Sequence, residues 1–97
     1  MSETPLKIEQ AVGCLKTLAH PVRLSILCAL REGERSVQTL EASLSVSQSL
    51  MSTHLAKMRD REIVIARREG HQVFYRVRDP RLFALLDLLQ TLYCPPL

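Results

Sequence analysis

Ninety-seven residues with 13 Lys or Arg against 10 Asp or Glu, a net charge of +3, make one domain whose core is small enough for self-association to enlarge it usefully. No apolar run reaches the roughly 20 residues of a membrane span, and Met1-Ser2-Glu3-Thr4-Pro5 lacks the basic and apolar regions of a signal peptide. The chain is therefore expected in the cytoplasm, where three cysteines do not form a structural disulfide framework.

Ile8, Val12, Leu15 and Ala19 mark one face of a first helix. It is expected to stop at His20, because the residue before Pro21 is pushed out of the helical region. Pro21 then opens a second helix at the position where a missing N–H costs nothing. Leu24, Leu27 and Leu30 carry its apolar side as far as Gly33, with Cys28 on the same side. Ser36 is placed to cap a short third helix with Val37, Leu40 and Leu44 at helical spacing.

After Ser45-Val46, Ser47 is placed to cap a longer fourth helix in which Met51, Leu55 and Met58 form the buried stripe. Its opposite face carries Gln48, Ser49, Ser52, Thr53 and Lys57, side chains that suit base edges and phosphates when such a helix lies in a major groove. Leu50 starts that exposed side and suits a thymine methyl. From Ile63 to Val77, two β-prone runs flank the turn signal Glu69-Gly70. Val73, Tyr75 and Val77 alternate with Gln72, Phe74 and Arg76, as in a half-buried strand. Arg67, Arg68, His71 and Gln72 cluster near the tip, where phosphates or a minor groove would be met.

Asp79-Pro80 has the form of a helix start. Beyond it Leu82, Phe83, Leu85, Leu86, Leu88, Leu89, Leu92 and Tyr93 leave little polar surface. A helix apolar on more than one side has two packing partners, its own domain and, by expectation, a second protomer. Residues 1–6 and 95–97 read as loose ends of a single domain spanning 1–97.

Two helices, a tight turn and a hairpin, in that order from Ser36 to Val77, predict a mainly α fold with a β-hairpin wing, a winged helix-turn-helix that reads double-stranded DNA. Charge agrees: residues 47–81 hold eight Lys or Arg against four Asp or Glu, while the rest of the chain is slightly acidic. The candidate DNA-binding residues are Ser47, Gln48, Ser49, Ser52, Thr53, His54, Lys57, Arg67, Arg68, His71 and Gln72. His54 is open between touching phosphate and packing at the helix–wing junction, and His20 reads as a helix-boundary residue. No nucleophile–base–acid set, phosphate loop or metal motif is present, so neither an enzyme nor a cofactor is expected. A winged helix that binds protein instead of DNA stays open.

Leu18-Ala19-His20-Pro21-Val22-Arg23-Leu24, Leu40 to Leu44, Ser47-Gln48-Ser49, Ser52, His54-Leu55 and Arg67-Arg68-Glu69-Gly70 with Phe74-Tyr75 closely resemble the ArsR (SmtB) family of bacterial repressors over about residues 7–94. The resemblance implies a homodimer of protomers with four helices, a two-stranded wing and a fifth helix. The first and fifth helices would meet at the dimer interface, a palindromic operator would be bound, and an inducer would release it. Two family metal sites have no counterpart. The Cys-x-Cys of the arsenic and cadmium sensors falls on Ser36-Val37-Gln38-Thr39, and the Asp and His ligands of the zinc sensors fall on a helix whose only such residue is Asp87. Glu62 stands where many relatives close the fourth helix with glycine.

Cys28 and Cys94 resemble the thiol pair of the family's persulfide-sensing branch. That resemblance implies that reactive sulfur species, persulfide or polysulfide, link the two within one protomer and that the reduced form binds DNA. A disulfide needs Cα atoms within about 7 Å, and each added sulfur lengthens the bridge, so thiol spacing can select the oxidant. Cys94, near a chain end, is expected to be more accessible than Cys28, whose apolar helix face would raise its pKa. Cys14 reads as a packing residue. Cys14, Cys28 and Cys94 together leave open a second inducer, arsenite or another thiophilic ion, if dimerisation assembles them.

Overall fold

The computed structural model describes residues 5–94. Of the predicted loose ends, Pro5 and Leu6 are exposed coil, and residues 1–4 and 95–97 lie outside the described residues. The elements run α1 (Ile8–Leu18), α2 (Pro21–Ala29), a 3-10 turn (Leu30–Glu32), β1 (Arg35–Ser36), α3 (Val37–Leu44) and α4 (Gln48–Asp60). The wing strands β2 (Val64–Glu69) and β3 (Gln72–Val77), a 3-10 turn (Pro80–Leu82) and α5 (Phe83–Tyr93) complete the chain.

The predicted caps form. His20, expected only as a helix boundary, also caps α2: α1 ends at Leu18, His20 is extended, and its Nδ1 accepts the Val22 N–H at 3.1 Å. Ser36 accepts from Thr39 N–H at 3.1 Å, Ser47 from Leu50 N–H at 3.3 Å and Asp79 from Arg81 N–H at 3.0 Å. Each satisfies one of the orphan donors of a helical first turn.

One strand was not anticipated. Arg35 pairs with Tyr75 and Ser36 with Phe74, so β1 joins the wing as an antiparallel edge and the sheet order is β1-β3-β2. Two residues carry no alternation to read. Ser36 serves both ends of this joint, closing the sheet and capping α3. The hairpin register runs from Val64 opposite Val77 to Glu69 opposite Gln72. Its turn is therefore Gly70-His71, one residue beyond the predicted Glu69-Gly70, with positive φ (+62°) at Gly70 alone. A two-residue turn with positive φ only at its first position is the type II′ arrangement that matches strand twist.

The core gathers Leu18, Ile26, Leu27, Leu30, Leu40, Met51, Leu55, Met58, Val64, Tyr75, Val77 and Leu86. Two expectations about α1 and α2 need correcting. The apolar stripe of α1 faces outward: Ile8 is 65% exposed and Leu15 54%, while Gly13, Thr17 and Leu18 face the core. Gly13 leaves room for the Arg61 guanidinium, whose Nη1 would stand 2.5 Å from a Cβ there. In α2 the buried residues are Ile26 and Leu27, while Cys28 is exposed one turn beyond half-buried Leu24. Ile26 and Leu27 are the residues α2 buries as it packs on α3 and α4, and Leu24 and Cys28 lie on the flank shared with α5. The Cα radius of gyration, 14.6 Å, exceeds the about 13 Å of an ordinary 100-residue domain, as expected where faces are left without an intramolecular partner.

Candidate nucleic-acid interface and thiol pair

The turn before α4 uses Ser45 in the left-handed region (φ +54°), and Val46 N–H reaches back to the Glu41 carbonyl. Met51, Leu55 and Met58 then lock α4 to the core, all but fully buried. Gln48, Ser49, Ser52, Thr53 and Lys57 are left exposed, together with Leu50 and Arg59. Thr53 spends its hydroxyl proton on the Ser49 carbonyl at 3.1 Å, which leaves its oxygen as an acceptor.

His54 is the exception among the candidates. It is 7% exposed, and its Nδ1 accepts a hydrogen bond from Arg23 Nε at 3.1 Å. Its ring centroid lies 4.4 Å from that of His20. Arg23 Nη1 also donates to the Thr17 carbonyl at 2.9 Å, so one guanidinium ties the end of α1 to the middle of α4. His54 therefore positions the recognition helix instead of facing phosphate. The clue was in its spacing, three residues after Met51 and four before Met58, on the buried stripe. Burial depresses its pKa below the ordinary histidine value, and the nearby His20, Arg23 and Lys57 charges act in the same direction. An acceptor Nδ1 requires the neutral ring with its proton on Nε2.

The α4–wing junction closes on Glu62 at φ +58°. Ile63 N–H bonds the Met58 carbonyl and Glu62 N–H the Arg59 carbonyl, both at 2.9 Å. These are the two bonds of a Schellman motif, with buried Ile63 and Met58 making its hydrophobic contact. Glu62 also pairs with Arg78 at 2.9 Å on the surface.

In the wing, Arg68, His71 and Gln72 are exposed, as predicted. Arg67 is engaged: Glu34 binds it at 2.6 Å, Glu69 at 2.7 Å, and its guanidinium sits 4.8 Å from the Phe74 ring centre. The Arg67 hydrogen bond holds the Glu34 carboxyl below the usual range. Arg81 likewise holds Asp79 down to about 2. Of the eight cations between 47 and 81, Lys57, Arg59, Arg61, Arg68 and Arg76 have no ion pair among the described residues. Lys57, Arg59 and Arg68 are the exposed ones among these on the helix and at the wing tip.

Cys28 and Cys94 open on one hollow of about 640 Å³ between α2 and α5. Leu24, Leu86, Leu89 and Tyr93 make it mostly apolar, with Gln90 and Arg31 as its polar groups. Both thiols are exposed, so the expected contrast between an accessible Cys94 and a buried Cys28 is not found. Cys14 is half-buried and lines a different hollow with Arg61, Ile63 and Leu82, and burial pushes its thiol pKa up. Among the described residues of one protomer, no three His, Cys, Asp or Glu side chains are grouped to hold a metal. Arg31, which composition alone did not single out, pairs with Asp87 of α5 and lies 6.0 Å from the Phe83 ring centre.

Leu88 (58% exposed) and Leu92 (63%) of α5 are turned outward, as are Ile8, Val12 and Leu15 of α1. No helix among the described residues is long and apolar enough to cross a membrane.

Residues 20–66 match the model of the bacterial regulatory protein family arsR. The chain is 44% identical over 82 residues to the biofilm growth-associated repressor of Agrobacterium fabrum, a match that covers 84% of this chain and 70% of the relative. Its fold superimposes on the crystal structure of the transcriptional repressor BigR from Xylella fastidiosa with a TM-score of 0.86, at 38% identity over 93% of this chain and 92% of the other. A homodimeric winged helix-turn-helix DNA-binding domain from Mycobacterium bovis, solved in solution, matches with a TM-score of 0.79 at 30% identity, over 94% and 91% of the two chains.

Proposed function

This chain belongs to the arsR family of bacterial regulatory proteins, DNA-binding transcriptional repressors with a winged helix-turn-helix, and on that premise we propose that it is a homodimer whose hold on a palindromic operator is set by Cys28 and Cys94. In this reading α4 enters the major groove with Gln48, Ser49, Ser52, Thr53 and Lys57, Ser47 caps it, and Arg68, His71 and Gln72 meet the backbone from the wing. The dimer forms in the cytoplasm through the outward leucines and isoleucine of α1 and α5, whose burial supplies the area a 97-residue chain lacks by itself.

The observation that carries the proposal is the shared hollow. Two thiols from different elements, α2 and the end of α5, open on one mostly apolar space. A sulfur chain formed between them would tie a core helix to a dimerising helix. Both protomers would then be biased toward an arrangement whose recognition helices miss the roughly 34 Å repeat of successive major grooves. Reduced protein binds the operator; linked protein releases it. Arsenite as inducer receives less support, because Cys14 lies on a different hollow from the other two thiols.

Intact-mass analysis after inorganic tetrasulfide, peroxide or arsenite, with operator binding measured on the same samples, tests this. The expected result is added sulfur with loss of binding, both abolished in Cys28→Ser and Cys94→Ser. Unchanged affinity after full modification would overturn the sensing reading. Absence of sequence-specific binding by the reduced protein at low salt would overturn the operator reading.

A further inference from the structure

The hollow between α2 and α5 contains one charged side chain. Arg31 lies on its lining beside Cys28, Cys94 and apolar residues such as Leu86 and Leu89. Asp87 holds the guanidinium through Nη2, and the Phe83 ring lies under it. Asp87 engages Nη2, which leaves Nε–H and Nη1–H for a ligand, since arginine carries five N–H donors. The side chain is 37% exposed, so its charge is shielded less than that of a fully solvated arginine. Asp87 is absent from the lining of the hollow. A molecule entering therefore meets the guanidinium directly, with its charge partly offset by Asp87.

Resting on the reading of Cys28 and Cys94 as the reactive pair, we propose that Arg31 is the anion receptor of this hollow, selecting anionic sulfur donors, the inorganic polysulfides and hydropersulfide anions, over neutral organic polysulfanes. The chemistry needs an anion to be brought to a thiolate, two like charges, in an apolar space. A fixed guanidinium offsets that repulsion. With tetrasulfide, one thiolate attacks an inner sulfur of the dianion. One S–S bond breaks, and its electron pair leaves with a terminal sulfur as hydrosulfide, protonated by water, which gives a cysteine carrying three sulfurs in a row. The second thiolate attacks the sulfur next to the first cysteine and expels a disulfide dianion. The two cysteine sulfurs are then joined through one sulfur. The two thiolates are oxidised, the donor is reduced, and no further oxidant enters. A neutral trisulfide such as dimethyl trisulfide follows the same displacement with methyl-sulfur leaving groups and gains nothing from Arg31.

The test compares the rates at which the full chain is modified by inorganic tetrasulfide and by dimethyl trisulfide, followed by intact mass. Arg31→Met keeps the stem and removes the charge. It is expected to slow the tetrasulfide reaction about tenfold, the low end of what a focused charge contributes to association, and to change the trisulfide rate less than twofold. Asp87→Asn removes the counter-ion and keeps the cation, so the preference for tetrasulfide should persist or grow. Rising salt should erode that preference in the unmodified sequence and not in Arg31→Met. Equal slowing with both donors, or no slowing with either, overturns the role of Arg31 while leaving the thiol pair intact. Failure of both donors to modify Cys28 and Cys94 in the unmodified sequence overturns the sensing reading and, with it, this one.

Discussion

Replacing Glu62 with glycine should make this protein more stable although it removes an ion pair. Glu62 occupies the left-handed region at φ +58°, where a side chain bearing Cβ crowds the following carbonyl at a cost of about 1–2 kcal/mol. The two Schellman hydrogen bonds at 2.9 Å are made by main-chain groups and survive the change. Against this gain stands the greater freedom of glycine in the unfolded chain, roughly 0.5–1 kcal/mol. The Glu62–Arg78 pair is also lost, but it joins side chains 72% and 53% exposed and contributes little. The balance is a gain of about 0.5–1 kcal/mol, or a rise in Tm of roughly 2–5 °C for a domain of this size. Thermal and urea unfolding at one fixed protein concentration measure it, since the apparent stability of a dimer depends on concentration. Glu62→Ala is the decisive control: it loses the same ion pair and keeps Cβ, so it should be no more stable than the unmodified sequence. Glu62→Asn should fall between Ala and Gly. Glycine no better than alanine would refute the strain argument.

Other consequences follow from the site. Because His54 is held neutral with its pKa below the ordinary value of 6.5, its contribution is complete above pH 6.5 and is lost as the pH falls through the folded-state pKa. Unfolding measured from about pH 8 to pH 5 should therefore show an acid-side decline that is shallower in His54→Gln, which keeps an acceptor for Arg23. Arg68→Ala should flatten the dependence of operator affinity on salt by about 0.9 per lost phosphate contact, or about 1.8 per dimer. Arg67→Ala should flatten it less, since Glu34 and Glu69 already hold that charge; titrations from about 50 to 200 mM salt separate the two. Gln48→Ala should reduce the preference for operator over random sequence by about 1–3 kcal/mol per half-site, seen in competition assays, while leaving the salt slope near that of the unmodified sequence.

Much of the reading unit was legible because its signals are local. Ser36, Ser47 and Asp79 announce helix starts through side chains that reach only two or three residues along the chain. The stripe Met51-Leu55-Met58 recurs at the helical period, and the alternation in β3 recurs at the strand period, so both faces follow from spacing. Apart from the one-residue shift of the hairpin turn, what the sequence left open or misplaced depended on a distant partner. His54 carried the stripe's spacing, but its polar ring concealed it until Arg23 and His20 appeared beside it. Arg67 had the composition of a phosphate contact until Glu34, distant in sequence, arrived through β1.

The sequence by itself determined the helix-turn-helix, the wing and the identity of the thiols, since caps, turns and periodicity are properties of short segments. Tertiary structure alone decided which cations have no ion pair among the described residues, which apolar side chains of α1 and α5 stay exposed, and that Cys28 and Cys94 share a hollow with Arg31. Those are statements about groups far apart in the chain. Only packing the helices brings their charges and surfaces into range of one another, and the interactions that result fall off within a few ångströms.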